Sequence, residues 1–448
     1  MNQNIFREYD IRGIVGKDLT DETVKIVAKS IGSFFNKSGA KTIAVGFDAR
    51  KSSPKFCKIL TEELNKVGCD VRLIGRVPTP VLYHTVYTKD VDGGAMITGS
   101  HNPSNYNGFK ICLGEETLYG VRIQEIKKIA LSGDFSFGRG NTTKLEVLKN
   151  YKTDILSRIK LGQKRLKVVI DAGNGMGGIT SVPIYQELGA ELIQLYTKPD
   201  SNFPNHPPDP AVPENLKDAI NSVKENSADL AIAFDGDADR ITVIDDQGNV
   251  IWGDELTTLF AREILPGFRD AAVIGEVKCS QVLFDETKNL GGKPIMCKAG
   301  HSIVKAKMKE TGAILAGEMS GHIFFRDRYY GFDDACYAGA RLLEILSRTD
   351  KSLSELRSHL PKIYSTPEIR INCEGKNKFQ IVKNVAEKFS KTNEVVTIDG
   401  ARIIFKSGWG LVRASNTQEI LVLRCEANNE ENLAAIKSRI ESTLDKFL

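Results

Sequence analysis

Asp229-Leu230-Ala231-Ile232-Ala233-Phe234-Asp235-Gly236-Asp237-Ala238-Asp239-Arg240 changes within one residue from an apolar run to three carboxylates and an arginine. Within the strand expected over 229–234, residues 230–234 have the unbroken apolar character of a buried strand. The acidic loop therefore opens at a strand end, which is where open α/β sheets bind ligands. Three carboxylates within five residues repel one another unless a cation sits among them. Hard oxygen donors at alternate positions suit magnesium or calcium. An acidic surface turn is the plainer reading, and the apolar strand that feeds the loop argues against it.

Working outward, the order of elements that leads to this loop occurs three times. Ahead of it come strands over 166–170 and 191–196 and helices over 177–188 and 214–225. An earlier copy has a helix over 19–37, with Val24, Val27, Ile31, Phe34 and Phe35 on one stripe, and a strand over 41–47. A helix opened by Pro54, capped by Ser53 and closed by Gly68 follows, then a strand over 71–74 and a short helix over 79–87. Its last strand, 93–97, runs into Thr98-Gly99-Ser100-His101-Asn102-Pro103. A later copy has strands over 272–277, 294–297 and 313–316 and helices over 281–289 and 301–309. It ends in Gly317-Glu318-Met319-Ser320-Gly321-His322. Such alternation predicts parallel βαβ crossovers.

The remainder differs, with a strand over 368–373, a helix over 377–389 and short strands over 395–398 and 402–405 around Asp399-Gly400, a hairpin signal. Strands over 410–413 and 419–425 follow, and then a helix carrying Leu433, Ile436, Ile440 and Leu444. The expected fold is α/β: three related mixed α/β units around a cleft plus a smaller C-terminal α+β domain. The boundaries are placed at 1–150, 151–250, 251–363 and 364–448, with a linker near 361–367.

Bulk properties narrow the class. A chain of 448 residues is too long for one core. Lys+Arg 61 against Asp+Glu 57 leaves +4, so no basic field argues for nucleic acid. The eight cysteines form no Cys-x-x-Cys pair, the pattern of reduced thiols in a cytoplasmic protein. Arg7, Glu8, Asp10 and Arg12 stand where a signal peptide needs an apolar core, and no apolar run approaches the ~18 residues of a membrane span.

The other loops are individually ambiguous. Ser100 at a strand end could be a nucleophile, a metal ligand or a turn residue. His101 is not expected to act as its base, because adjacent residues at a strand end point apart, and no Gly-x-Ser-x-Gly elbow is present. Glu318 and Ser320 could bind vicinal hydroxyls of a sugar, or form a plain turn. Arg413-Ala414-Ser415-Asn416-Thr417 could clamp a phosphate, or be a hairpin tip. Arg12, in Tyr9-Asp10-Ile11-Arg12-Gly13, and Lys110, just after the serine loop, add cations. For the acidic loop, an EF-hand needs a glycine where Arg240 stands. A haloacid-dehalogenase-type phosphatase stays open as an alternative, with Asp235 as its nucleophile.

Taken together in this order, these motifs resemble the α-D-phosphohexomutases, and within them the bacterial phosphomannomutase/phosphoglucomutase branch. The resemblance implies four domains around one cleft. It implies that Ser100 carries a phosphoryl group, donates it to a hexose phosphate, and takes the other phosphate back from the bisphosphorylated sugar. Asp235, Asp237, Asp239 and the phosphate on Ser100 would hold one Mg²⁺. Arg12, Arg240 and Lys110 would surround the transferring group, with Lys110 and His301 in proton transfer and His101 in support. Glu318, Ser320 and His322 would read the sugar, beside Tyr9. Arg413, Ser415, Asn416 and Thr417, with Lys298, would grip the distal phosphate. The Met319 loop resembles the branch that accepts both mannose and glucose phosphates, which supply nucleotide-sugar precursors. A hexose 1,6-bisphosphate activator and a monomer or weak homodimer complete the expectation, with neither nucleic acid nor membrane as partner.

Overall fold

The computed structural model describes residues 1–415 and 419–448, and within them three sheets share one strand order. In the first, Thr42–Phe47 lies between its parallel neighbours Asp70–Arg76 and Gly93–Ile97, and Tyr106–Leu113 returns antiparallel beside the latter. In the second, Lys167–Asp171 lies between Glu191–Leu195 and Leu230–Phe234, and Ile241–Asp245 returns. In the third, Ala272–Glu276 lies between Lys293–Cys297 and Leu315–Gly317, and Ile323–Phe325 returns. The parallel strands are joined through helices, as the alternation predicts. The return strand was not anticipated. The loops before it, 98–105, 235–240 and 318–322, are too short for a parallel crossover of a dozen or more residues, so the chain can only fold back.

Local details follow from side-chain chemistry. Thr20 caps the helix Asp21–Lys37 by accepting from the N–H of Thr23. The expected cap at Ser53 is incorrect. Ser53 is inside the helix Ser53–Lys66, and its hydroxyl donates instead to Asp48 Oδ1 at 2.5 Å, while Ser52 takes the cap position without a side-chain bond. In the last unit Lys378–Phe389 and Glu430–Leu444 pack on an antiparallel sheet of six strands. The linker near 361–367 contains one of them, Tyr364–Ser365, which pairs with Ile420–Ala427.

One core runs through the first three units, taking in Met96 and Tyr83, Ile170 and Phe234, and Phe325 and Tyr337. The last unit has a core of its own around Val385, Ile403, Leu423 and Ile440. All eight cysteines are buried and unbridged.

Candidate active site

The three return loops and the strand Gly408–Ala414 converge on a cleft of about 820 Å³, lined by Tyr9 and His101, Arg240, Glu318 and Ser320, and Arg413, among others. All four units contribute to it. At one end the serine loop and the acidic loop touch. Ser100 Oγ donates to Asp235 Oδ2 at 2.8 Å. Gly236 permits this approach, since a Cβ there would lie 2.3 Å from the Ser100 carbonyl oxygen.

Asp235, Asp237 and Asp239 are fully buried, and one oxygen of each lies within 4.8 Å of the others. Burial, followed by the charges of Asp239 and Asp237, pushes the Asp235 carboxyl well above the usual carboxylate range. Against the same cost of burial, Lys110 holds Asp237 below that range. Lys110 Nζ donates to Asp237 Oδ2 at 2.8 Å and also to Asp239 Oδ2, and these carboxylates raise its own pKa despite burial. Thr79 and Thr98 donate their hydroxyls to the same Asp237 oxygen at 2.5 and 3.1 Å. The other oxygens, Asp237 Oδ1 and Asp239 Oδ1, are buried with no hydrogen-bond partner. Hard oxygens left unsatisfied in a crowded carboxylate cluster fit a divalent cation.

Arg12 donates to Asn102 of the serine loop and to Asp10. Arg240 Nε donates to His322 Nε2 at 3.0 Å. An accepting Nε2 puts the ring proton on Nδ1, which lies 2.8 Å from Asp333 Oδ2. His301 stacks on His322 with ring centroids 5.2 Å apart, and its Nδ1 lies 3.5 Å from the same Asp333 oxygen. Burial and then Lys305 drive the His301 pKa well below its ordinary value.

His101 corrects the sequence reading. Its Nδ1 lies 3.2 Å from Ser100 Oγ. Strand alternation does not extend to this pair, because Ser100 adopts a left-handed backbone with φ +48°. Burial, then Arg240 and Arg12, lower the pKa of His101 well below the ordinary value, so the ring is neutral.

Across the cleft Glu318 Oε1 accepts from the N–H of Gly300 at 3.1 Å, and Ser320 Oγ donates to Glu318 Oε2 at 3.3 Å. Tyr9 donates its hydroxyl to the Ala299 carbonyl at 2.8 Å. Arg413 Nε pairs with Asp399 Oδ2 at 2.7 Å, and Ser415 is buried beside it in the same hairpin. Asn416 and Thr417 lie outside the described residues. Lys298 is exposed, just past the strand Lys293–Cys297 and next to Ala299, which lines the cleft. Lys278 lines the cleft, paired with Glu368 at 2.9 Å. Sequence reasoning missed Lys278 and Asp333. Lys278 follows the strand Ala272–Glu276 at its carboxyl end, a position that could have flagged it.

Family profiles match the chain in four consecutive pieces. Residues 3–136, 146–248 and 252–364 match phosphoglucomutase/phosphomannomutase alpha/beta/alpha domains I, II and III, and 368–442 match the C-terminal domain. A phosphomannomutase/phosphoglucomutase of Pseudomonas aeruginosa is 45% identical over 98% of this chain and 95% of its own length. A phosphoglucomutase of Neisseria gonorrhoeae is 44% identical over 99% and 97%. A crystal structure of a phosphoglucomutase/phosphomannomutase family protein from Burkholderia thailandensis superposes with a TM-score of 0.95 at 42% identity, covering 100% of this chain and 98% of that one.

Proposed function

The chain belongs to the phosphoglucomutase/phosphomannomutase family, enzymes that move phosphoryl groups between the 1- and 6-positions of hexose phosphates, and from that premise we propose how its own residues perform the transfer. The observation that carries the reading is the bond from Ser100 Oγ to Asp235 Oδ2, made in a cleft to which all four units contribute.

Ser100 is the phosphoryl carrier. Phosphate-monoester cleavage is among the slowest uncatalysed reactions, and its catalysis is mostly positioning plus neutralisation of oxygen charge. Asp235, Asp237 and Asp239 hold one Mg²⁺, which when bound neutralises charge on the phosphoryl oxygens. Arg12, Arg240 and Lys110 add fixed positive charge around the same group. In the forward half-reaction the P–O bond to Ser100 breaks as a bond to the sugar oxygen forms. The proton of that sugar hydroxyl goes to His301, which with Lys110 serves proton transfer as the resemblance implies, while His322 accepts from Arg240 at Nε2 and holds it beside the transferring group. His301 stacks on His322, and His101 lies beside the freed Ser100 Oγ. Glu318 and Ser320 read hydroxyls that glucose and mannose share, so both sugars are substrates.

Arg413 and Ser415, with Asn416 and Thr417, grip the distal phosphate. Lys298 adds to this clamp, and Lys278, which lines the cleft, joins it. Binding energy at that remote phosphate orients the sugar, and one clamp serves either end of the bisphosphorylated intermediate. Hexose 1,6-bisphosphate therefore primes Ser100. We retain unit boundaries at 1–150, 151–250, 251–363 and 364–448, a monomer or weak homodimer, and a cytoplasmic location.

Intact-mass analysis with site mapping after incubation with glucose 1,6-bisphosphate tests the reading. Phosphate is expected on Ser100, and Ser100→Ala is expected to lose roughly 10⁴-fold or more in kcat, as loss of a nucleophile does. Phosphate trapped on Asp235, with Ser100→Ala fully active, would establish an aspartyl phosphatase instead.

A further inference from the structure

The serine loop has no strand ladder between Gly93–Ile97 and Tyr106–Leu113, and buried carbonyl oxygens in such a segment need donors. Arg50 supplies them. Its Nη2 donates to the carbonyls of Ser100 and Asn102 at 2.7 and 2.5 Å, and its Nη1 to those of Pro103 and Tyr106 at 2.5 and 3.0 Å. Arg50 is 1% exposed. Arg50 Nε lies 3.2 Å from Asp48 Oδ2, and that oxygen also accepts from the N–H of Gly99 at 3.1 Å. Asp48 Oδ1 accepts from Ser53 Oγ and from the N–H of Arg50, which ties the pair to the start of the helix Ser53–Lys66. Position 99 must be glycine here, since a Cβ would come within 2.4 Å of the guanidinium carbon.

The backbone at Ser100 explains why so much is built beneath it. A non-glycine residue at φ +48° is strained and persists only where its surroundings hold it. The N–H of Ser100 is fixed by Thr98 Oγ1 at 2.8 Å, and its carbonyl by Arg50.

We propose that Arg50, oriented by Asp48, is a positioning residue for the phosphoryl carrier: it locks the left-handed turn that aims Ser100 Oγ at Asp235 while the serine alternates between hydroxyl and phosphate ester. The inference rests on the reading of Ser100 as the carrier. Arg50 is not among the residues lining the cleft, unlike Arg240, and so acts through the loop rather than on the sugar. A lysine cannot substitute, because a single ammonium cannot satisfy four carbonyls in fixed directions.

The test compares wild type, Arg50→Ala and Arg50→Lys with glucose 1-phosphate as substrate. Both variants are expected to lose roughly 10²-fold in kcat with KM within about threefold, the signature of a misplaced reacting group. Added guanidinium ion is expected to restore part of the kcat of Arg50→Ala, and methylammonium is not. Wild-type kcat in the folded variants, or a loss that guanidinium leaves untouched, overturns the proposal. If Arg50→Ala does not fold, Gly99→Ala drives a Cβ into the same guanidinium from the loop side. The same loss of kcat is expected there, and an unchanged kcat overturns the idea. Phosphate mapping separates the two readings. A wild type that never carries phosphate on Ser100 removes the carrier itself, whereas a labelled wild type beside fully active variants removes only the role of Arg50.

Discussion

Asp333 and Asp334 are consecutive and both buried, yet their carboxyl groups are driven in opposite directions. Asp333 faces a cation. Lys305 Nζ donates to it at 2.8 Å, and against the cost of burial this ammonium holds it well below the usual carboxylate range. Asp334 is pushed up to about 6 by burial, because its partners are neutral: the hydroxyls of Tyr151 and Tyr329 and the N–H of Tyr337. In the unfolded chain Asp334 ionises near 3.8, whereas in the fold it keeps its proton to about 6. The fold therefore binds the extra proton between these values, and stability from this group falls as pH rises through the window, then stays flat. The span corresponds to about 3 kcal/mol. Asp334→Asn keeps an acceptor for the helix cap at Tyr337 and removes the titration. Its melting temperature relative to wild type is expected to rise between pH 4 and pH 7. A difference that is constant across that range would refute the assignment.

The element that repeats is the short return loop between the third parallel strand and its antiparallel neighbour. Placed at the same sheet position in three units, it delivers Ser100, the three aspartates, and Glu318 with His322 to one cleft. The first two loops meet through Gly236, which is not in the left-handed region and is glycine for closeness alone. Gly236→Ala should leave the fold intact and displace the serine loop by about 1 Å. The expected result in steady-state assays is a kcat lower by roughly 10²-fold with little change in KM. Unchanged kcat would mean that the loops need not touch. Much of this was legible in the chain. The strand Gly93–Ile97 and the helix Gln281–Asn289 have the bounds their patterns predict, and each loop announced itself by polar residues after an apolar strand. The return strands were not legible, because their apolar runs begin directly after the loops and alternation offers no helix to mark them. Asp333 and Arg50 were hidden for another reason. Their roles depend on partners far along the chain, His301 for one and the carbonyls around Ser100 for the other, which no local spacing encodes.

At the scale of the molecule, one core runs through the first three units, while the last has a core of its own and meets them through an apolar cluster flanked by polar bonds. Val277 packs on Trp409 and Leu411, and Arg402 donates to the carbonyls of Val277 and Cys279 at 2.6 and 2.8 Å. The Arg402 guanidinium lies 3.7 Å from the centroid of the Trp409 ring, and burial lowers its pKa to about 10. Arg424 donates to the Lys278 carbonyl from the other side of the contact, so the C-terminal unit grips the segment that presents Lys278 to the cleft. Units with separate cores unfold separately. The chain has two tryptophans, Trp252 and Trp409, so Trp252→Phe leaves Trp409 as a reporter of this junction. In urea, its emission is expected to change at lower concentration than the bulk of the far-ultraviolet dichroism, which comes from the other three units. Arg402→Met leaves two buried carbonyls without their donor, at a cost of about 1–3 kcal/mol each, and should move only the first transition to lower urea. Coincident transitions in both signals, before and after the substitution, would instead mean that the four units unfold as a single cooperative body.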